Sequence, residues 1–176
     1  MYKPQFSDNI SLRMGSEAER RFDKIANRAR AYPKVASQTD QRSHIDRYID
    51  VNGKKYSVEI KSMKKISRSD PAPQDNLIWI ELHGVHPSDR GWLYGGKADL
   101  IAFEMRYGFM FVDRKKLITL VDKSVDFKKI VSSPYDAKNK IYLRRKSSDF
   151  FSEGHDKVTL IDSSKIENVA FMRWRV

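Results

Sequence analysis

The sequence predicts one α/β domain: a mixed β-sheet flanked by helices, with a core over about 15–122 and a C-terminal extension over about 123–176. Three observations carry this. Ala18, Phe22, Ile25, Ala26 and Ala29 repeat at helical spacing and mark a helix over 15–31. Asn52-Gly53 lies between two strand-like runs, and both residues accept the positive φ of a two-residue hairpin turn. Short apolar runs recur at 77–82, 98–105 and 109–112, the last leading into an Asp113-capped helix over about 114–121.

The elements follow in order. Ser16, with Glu19 three residues on, has capping-box spacing and is expected to start the first helix. Residues 32–42 are polar and read as a loop. The hairpin strands are expected near 43–51 and 54–62. The basic, proline-bearing stretch 63–75 reads as a mobile loop. Leu77-Ile78-Trp79-Ile80-Glu81-Leu82 is nearly continuous in apolar residues, as a central strand would be. A loop rich in glycine and aromatics follows, from His83 to Lys97. After the 114–121 helix, residues 123–157 are polar. Leu160-Ile161-Asp162 then repeats the pattern of a strand, an Asp cap and a short helix. Residues 170–175 close the chain as an alternating strand, with Phe171 on the face opposite Met172 and Trp174. No linker separates two cores.

The 176 residues suffice for one cored domain. There are 34 Lys and Arg against 23 Asp and Glu, a net charge of +11, which favours a polyanionic partner. No long apolar run and no basic helix with a broad apolar face is present, so nucleic acid is expected rather than a membrane. The chain has no cysteine, which excludes disulfides and cysteine-held zinc. A cytoplasmic protein is the simplest expectation.

The hairpin carries the chemistry. With Asn52-Gly53 as the turn, Val51 faces Lys54, and counting outward sets Asp46 opposite Glu59. Alternation puts Asp46, Glu59 and Lys61 on one face. Facing Cβ atoms in such a ribbon lie roughly 5 Å apart, and two carboxylates so placed repel one another. A hard divalent cation would offset the repulsion, taking one oxygen from each acid and the Ile60 carbonyl. Such a site can activate water and stabilise charge on a phosphate under attack. Asp50 has the same parity but should face Lys55, two positions from the Glu59 row. His44 should face Lys61. Glu81 is either an outer acid of the site or a strand-end charge.

An acid, a gap and Glu59-Ile60-Lys61 on the second strand of a hairpin resembles the signature of the PD-(D/E)XK, or restriction-endonuclease-like, nucleases. The resemblance is firmest over 15–62, and the element order continues to about residue 120. The motif's proline is absent, with His44-Ile45 before Asp46. The resemblance implies an αβββαβ core, Mg²⁺ (or Mn²⁺ as a substitute) on Asp46, Glu59 and the Ile60 carbonyl, and Lys61 orienting the attacking water. Gly15-Ser16-Glu17-Ala18-Glu19-Arg20 resembles the opening helix of archaeal Holliday-junction resolvases. There a glutamate four residues after the glycine serves the metal site, which points to Glu19 rather than Glu17.

The expected activity is therefore Mg²⁺-dependent hydrolysis of DNA, structure-directed or weakly sequence-specific. The alternatives are an inactive nucleic-acid-binding protein on the same fold and an RNA-directed nuclease. Lys64, Lys65, Arg68, Arg90, Lys97, Arg144 and Arg145 are the candidate phosphate contacts, and Trp92 is a candidate stacking face. Junction cleavage would call for a homodimer, and so small a nuclease would suit a targeting partner protein or a phage or mobile-element origin. A His83-x-x-His86 metal pair has no cysteine or third ligand nearby and is not favoured.

Overall fold

The computed structural model describes residues 6–84, 88, 90–145 and 155–176. Its elements are α1 (Phe6–Arg28), β1 (Lys34–Val35), α2 (Gln38–Gln41), β2 (Arg47–Val51), β3 (Lys54–Lys61), β4 (Leu77–His83), a π-helical turn (Gly91–Gly95), β5 (Leu100–Met105) and β6 (Gly108–Asp113). There follow α3 (Arg114–Ser124), β7 (Asp126–Val131), a 3₁₀ turn (Pro134–Asp136), β8 (Lys140–Arg145), β9 (His155–Asp162), α4 (Ser163–Glu167) and β10 (Ala170–Arg175).

The stripe on α1 packs as its spacing requires: Ala18, Phe22, Ile25 and Ala26 are buried. The helix, however, begins at Phe6, so Ser16 lies inside it and caps nothing. Gly15 and Ser16 are tolerated there on the open side, at a propensity cost of roughly 1 kcal/mol for the glycine. The chain leaves the helix at Arg28 and turns through left-handed Arg30 and Tyr32, so Ala31 rather than Ala29 completes the buried stripe.

Two sheets form instead of one. A six-stranded sheet has the order β1-β2-β3-β5-β6-β10, and a four-stranded sheet has the order β4-β9-β8-β7. In the first, only β3 and β5 run parallel. The face of this sheet bearing Ile49, Val58, Ile60, Leu100, Ala102, Phe109 and Phe111 packs on α1. Phe22 lies at its centre, 5.2 Å edge-on to Phe109. The other face, through Ile101, Phe103, Met110 and Val112, shares a core with Ile80, Leu82, Ile141 and Ile161 of the second sheet and Leu117 and Val121 of α3. One core thus spans both sheets, and the polar stretch after residue 123 supplies most of the second.

The expectation that residues 77–82 form a central strand is corrected: β4 is an edge strand of the four-stranded sheet. Its continuous apolar pattern arises because both faces are covered. Ile80 and Leu82 enter the core, while Trp79 donates its indole N–H to the Lys65 carbonyl and lies against Tyr142. The 63–75 segment is pinned in place: Ile66 and Ser67 donate N–H to Asp70, the Tyr135 hydroxyl donates to the same carboxylate, and Lys64 bridges Gln74.

Strands β5 and β6 and helix α3 fall where expected, and Asp113 accepts from the Lys115 and Lys116 amides. Asp162 precedes α4 without a side-chain cap bond and pairs instead with Lys138. Strand β10 alternates as read, with Phe171 outward. No helix among the described residues is long and apolar enough to cross a membrane.

Gly108 opens β6 at φ 145°, and a Cβ there would sit 1.9 Å from the Trp174 carbonyl oxygen of β10. Strain and overpacking together should make Gly108→Ala cost about 2–5 kcal/mol. Gly53, at φ 80° with open space around it, should cost about 1–2 kcal/mol on the same change. Urea unfolding of the two variants checks the contrast.

Candidate metal and phosphate site

The turn forms as its sequence dictates, with Asn52 at φ 54° and Gly53 at φ 80°. The β2–β3 register runs from Val51 paired with Lys54 to Arg47 paired with Val58, where it ends. The Asp46 amide then donates to the Val58 carbonyl at 2.8 Å, one residue out of that register, so Asp46 does not pair squarely with Glu59 as the count predicts. The Asp46 carboxylate accepts from the Ile60 amide at 2.7 Å. Asp50 lies opposite Lys55, but its carboxylate accepts from the Gly53 N–H and so braces the turn.

Glu59 faces away from α1, since its neighbours Val58 and Ile60 pack on that helix's side of the sheet. Glu59 is 5 % exposed. Lys61 pairs directly with it, and the Lys61 ammonium lies 5.0 Å from the centre of the Trp92 ring. Trp92 was a candidate stacking surface for bases; it is instead buried, edge-on to Phe103. The π-helical turn sets Trp92 there, and its ring can hold Lys61 by a cation–π contact.

His44 does not extend the hairpin strand to face Lys61. It sits at φ 59°, and its Nδ1 lies 3.6 Å from Glu59 Oε1. The Glu59 carboxylate beside it raises the His44 pKa.

Burial, followed by the Glu59 charge, raises Asp46 from 3.8 to about 7. Burial pushes Glu59 in the same direction, but His44 and Lys61 outweigh it and hold Glu59 below the usual carboxylate range. The two acids therefore differ: Glu59 is a compensated anion, whereas Asp46 resists ionising beside it.

Glu19 lies on the α1 side of the sheet, bound to Arg47 at 3.0 Å, and reaches Asp46 only as a distant like charge. Glu17 is turned out to an ion pair with Arg13. The sequence reading did not single out Arg47, which is 6 % exposed and also forks onto Asp23. An arginine at the same parity as Ile49, facing a helix with Glu19 and Asp23 four residues apart, is the pattern that could have shown it.

The cations divide into two groups. Arg68, Arg90 and Lys97 are exposed, whereas Lys64 and Arg144 line a cleft between the two sheets together with Lys61. Lys65 has its carbonyl tied to Trp79. Arg145 ends β8 with its side chain outside the described residues, as are the whole of His86 and Lys146. Arg144 is held by Asp156 at 2.9 Å, with Glu81 at 3.8 Å. Asp156, 2 % exposed, is a further anchor that the polar reading of residues 123–157 concealed.

Among the described residues no group of three or more His, Cys, Asp or Glu side chains is arranged to hold a metal ion. The donor set at the hairpin is two carboxylates plus the Ile60 carbonyl between Glu59 and Lys61. That set fits Mg²⁺, which keeps several waters and takes only one or two protein carboxylates. An Asp46 that resists ionising beside Glu59 is the electrostatic condition a cation would relieve. No family model matches the chain, and neither the curated proteins nor the solved structures contain a significant match to it.

Proposed function

We propose that this protein is a divalent-metal-dependent nuclease that hydrolyses DNA phosphodiester bonds, built on a restriction-endonuclease-like arrangement of α1, the β2–β3 hairpin and β5. One observation carries the reading: Asp46 lies within charge reach of both Glu59 and its partner Lys61 at the open end of the hairpin, with the two acids electrostatically opposed. Asp46, Glu59 and the Ile60 carbonyl would hold Mg²⁺ or Mn²⁺. Bound there, the ion supplies Lewis acidity toward a phosphate and a lowered water pKa.

The chain's own groups do the rest. Asp46 would have to be ionised to serve as a metal ligand. Lys61, held beside Glu59 and backed by Trp92, orients the attacking water and donates to the phosphate oxygen that gains charge. His44 keeps the Glu59 carboxylate oriented. Glu19 holds Arg47 against the sheet behind Asp46. The basic surface draws in the polyanion.

One observation favours the rival, a catalytically silent binding module. Lys61 already neutralises Glu59 without any metal. An RNA substrate fits the same charge. Incubation with linear, circular single-stranded and branched DNA and with RNA, under Mg²⁺ and Mn²⁺, separates the readings. DNA cleavage that disappears with EDTA and in Lys61→Ala is the expected result. Binding without cleavage under both metals would leave the binding module.

A further inference from the structure

The four-stranded sheet brings charge to the catalytic edge. A cavity of about 70 Å³ opens between the sheets beside Lys61, walled by Trp79 and Trp92 and lined by Lys64 and Arg144 and by the acids Asp75, Glu81 and Glu104, of which Asp75 is bound to the Arg106 amide and Glu104 to Arg21. Three cations from three different elements therefore meet in one cleft: Lys61 from β3, Lys64 from the following loop and Arg144 from β8. Two of them are partnered, Lys61 by Glu59 and Arg144 by Asp156. Among the described residues Lys64 has no ion pair or side-chain hydrogen bond. Arg144 engages its carboxylates only through Nη2, and a guanidinium has five N–H donors.

From this geometry we infer that the inter-sheet cleft is a seat for one backbone phosphate adjoining the scissile one, gripped by Lys64 and Arg144. The inference rests on the nuclease reading for the identity of the neighbouring phosphate. The cavity has room for about two water volumes, the scale of a phosphate group rather than of a base pair. Burial, together with the charges of Arg144 and Lys61, lowers Lys64 to about 8, although the residue keeps an exposed side that water screens. An anion placed among the three cations would relieve that crowding. Glu81, beside Arg144, sets the negative border of the seat.

The test separates binding from cleavage. Tryptophan fluorescence of the full chain is titrated with a short oligothymidylate in EDTA, with inorganic phosphate as competitor. Lys64 is exposed, so Lys64→Ala and Lys64→Glu should leave the fold intact, which circular dichroism checks. Lys64→Glu should weaken oligothymidylate binding about tenfold and reduce the salt slope by about one. Phosphate should compete in the wild type and lose that competition in Lys64→Glu. An oligothymidylate with a neutral methylphosphonate at one linkage beside the cleaved bond should erase the difference between wild type and variant, which distinguishes a backbone phosphate from free phosphate. Equal binding by wild type and Lys64→Glu, or unchanged phosphate competition, overturns the seat even if DNA is cut. Lys64-dependent binding without cleavage under any metal keeps the anion seat and removes the nuclease reading.

Discussion

Lys61→Ala should lower the single-turnover rate of DNA cleavage about 10²–10³-fold, the cost of removing one donor aimed at developing charge. DNA affinity in EDTA should stay within about threefold. The reason is positional. Lys61 lies one side-chain repeat beyond Glu59, paired to it and held over Trp92, so its ammonium is fixed before substrate arrives. The exposed cations Arg68, Arg90 and Lys97 remain to attract the polyanion. Rapid-quench kinetics with excess enzyme, paired with a filter-binding assay, makes the separation. Equal losses in rate and affinity would assign Lys61 to binding alone.

Asp46→Asn should abolish cleavage and yet stabilise the metal-free protein at pH 8. Asp46 holds its proton more tightly when folded, with its pKa at about 7, than a free aspartate at 3.8. Its contribution to stability is therefore complete below about pH 4 and is lost as pH rises through 7. At 1.36 kcal/mol per pKa unit the loss is at most roughly 4 kcal/mol. Asparagine has no charge to bury and keeps an oxygen to accept from the Ile60 amide. The variant should gain about 2–4 kcal/mol at pH 8 and little at pH 4. Glu59 works in the opposite sense: its lowered pKa gives stability above its unfolded value that is lost as pH falls. For that reason the informative quantity is wild type minus Asp46→Asn across pH, read by urea denaturation in EDTA. Mg²⁺ should stabilise the wild type and not the variant. A variant less stable than wild type at pH 8 would show that the acids are not opposed.

What could be read from the sequence follows the range of the interactions. The hairpin register was legible from Val51 back to Arg47 because Asn52-Gly53 allows one turn geometry and period-two alternation does the rest, whereas the shift at Asp46 has no local signal. The α1 stripe, the Asp113 cap and the alternation of β10 are local patterns of the same kind. The second sheet was not legible. Strands β4 and β9 meet across about eighty residues, and nothing local in Leu77–Leu82 tells a covered edge from a sheet centre. Burial of Trp92 depends on the π-helical turn, in which Gly91 takes φ 65°. Arg47 and Asp156 read as surface charges until α1 and Arg144 are placed against them. His44 was displaced from its expected partner by a single left-handed residue, its own.

The most direct measurement is anomalous diffraction from crystals of the protein grown with Mn²⁺. A manganese peak within coordination distance of both the Asp46 and the Glu59 carboxylates is expected, with the Ile60 carbonyl and the Lys61 ammonium alongside. A hairpin slipped by one residue, sending these side chains to opposite faces, or manganese bound only elsewhere on the chain, would contradict it.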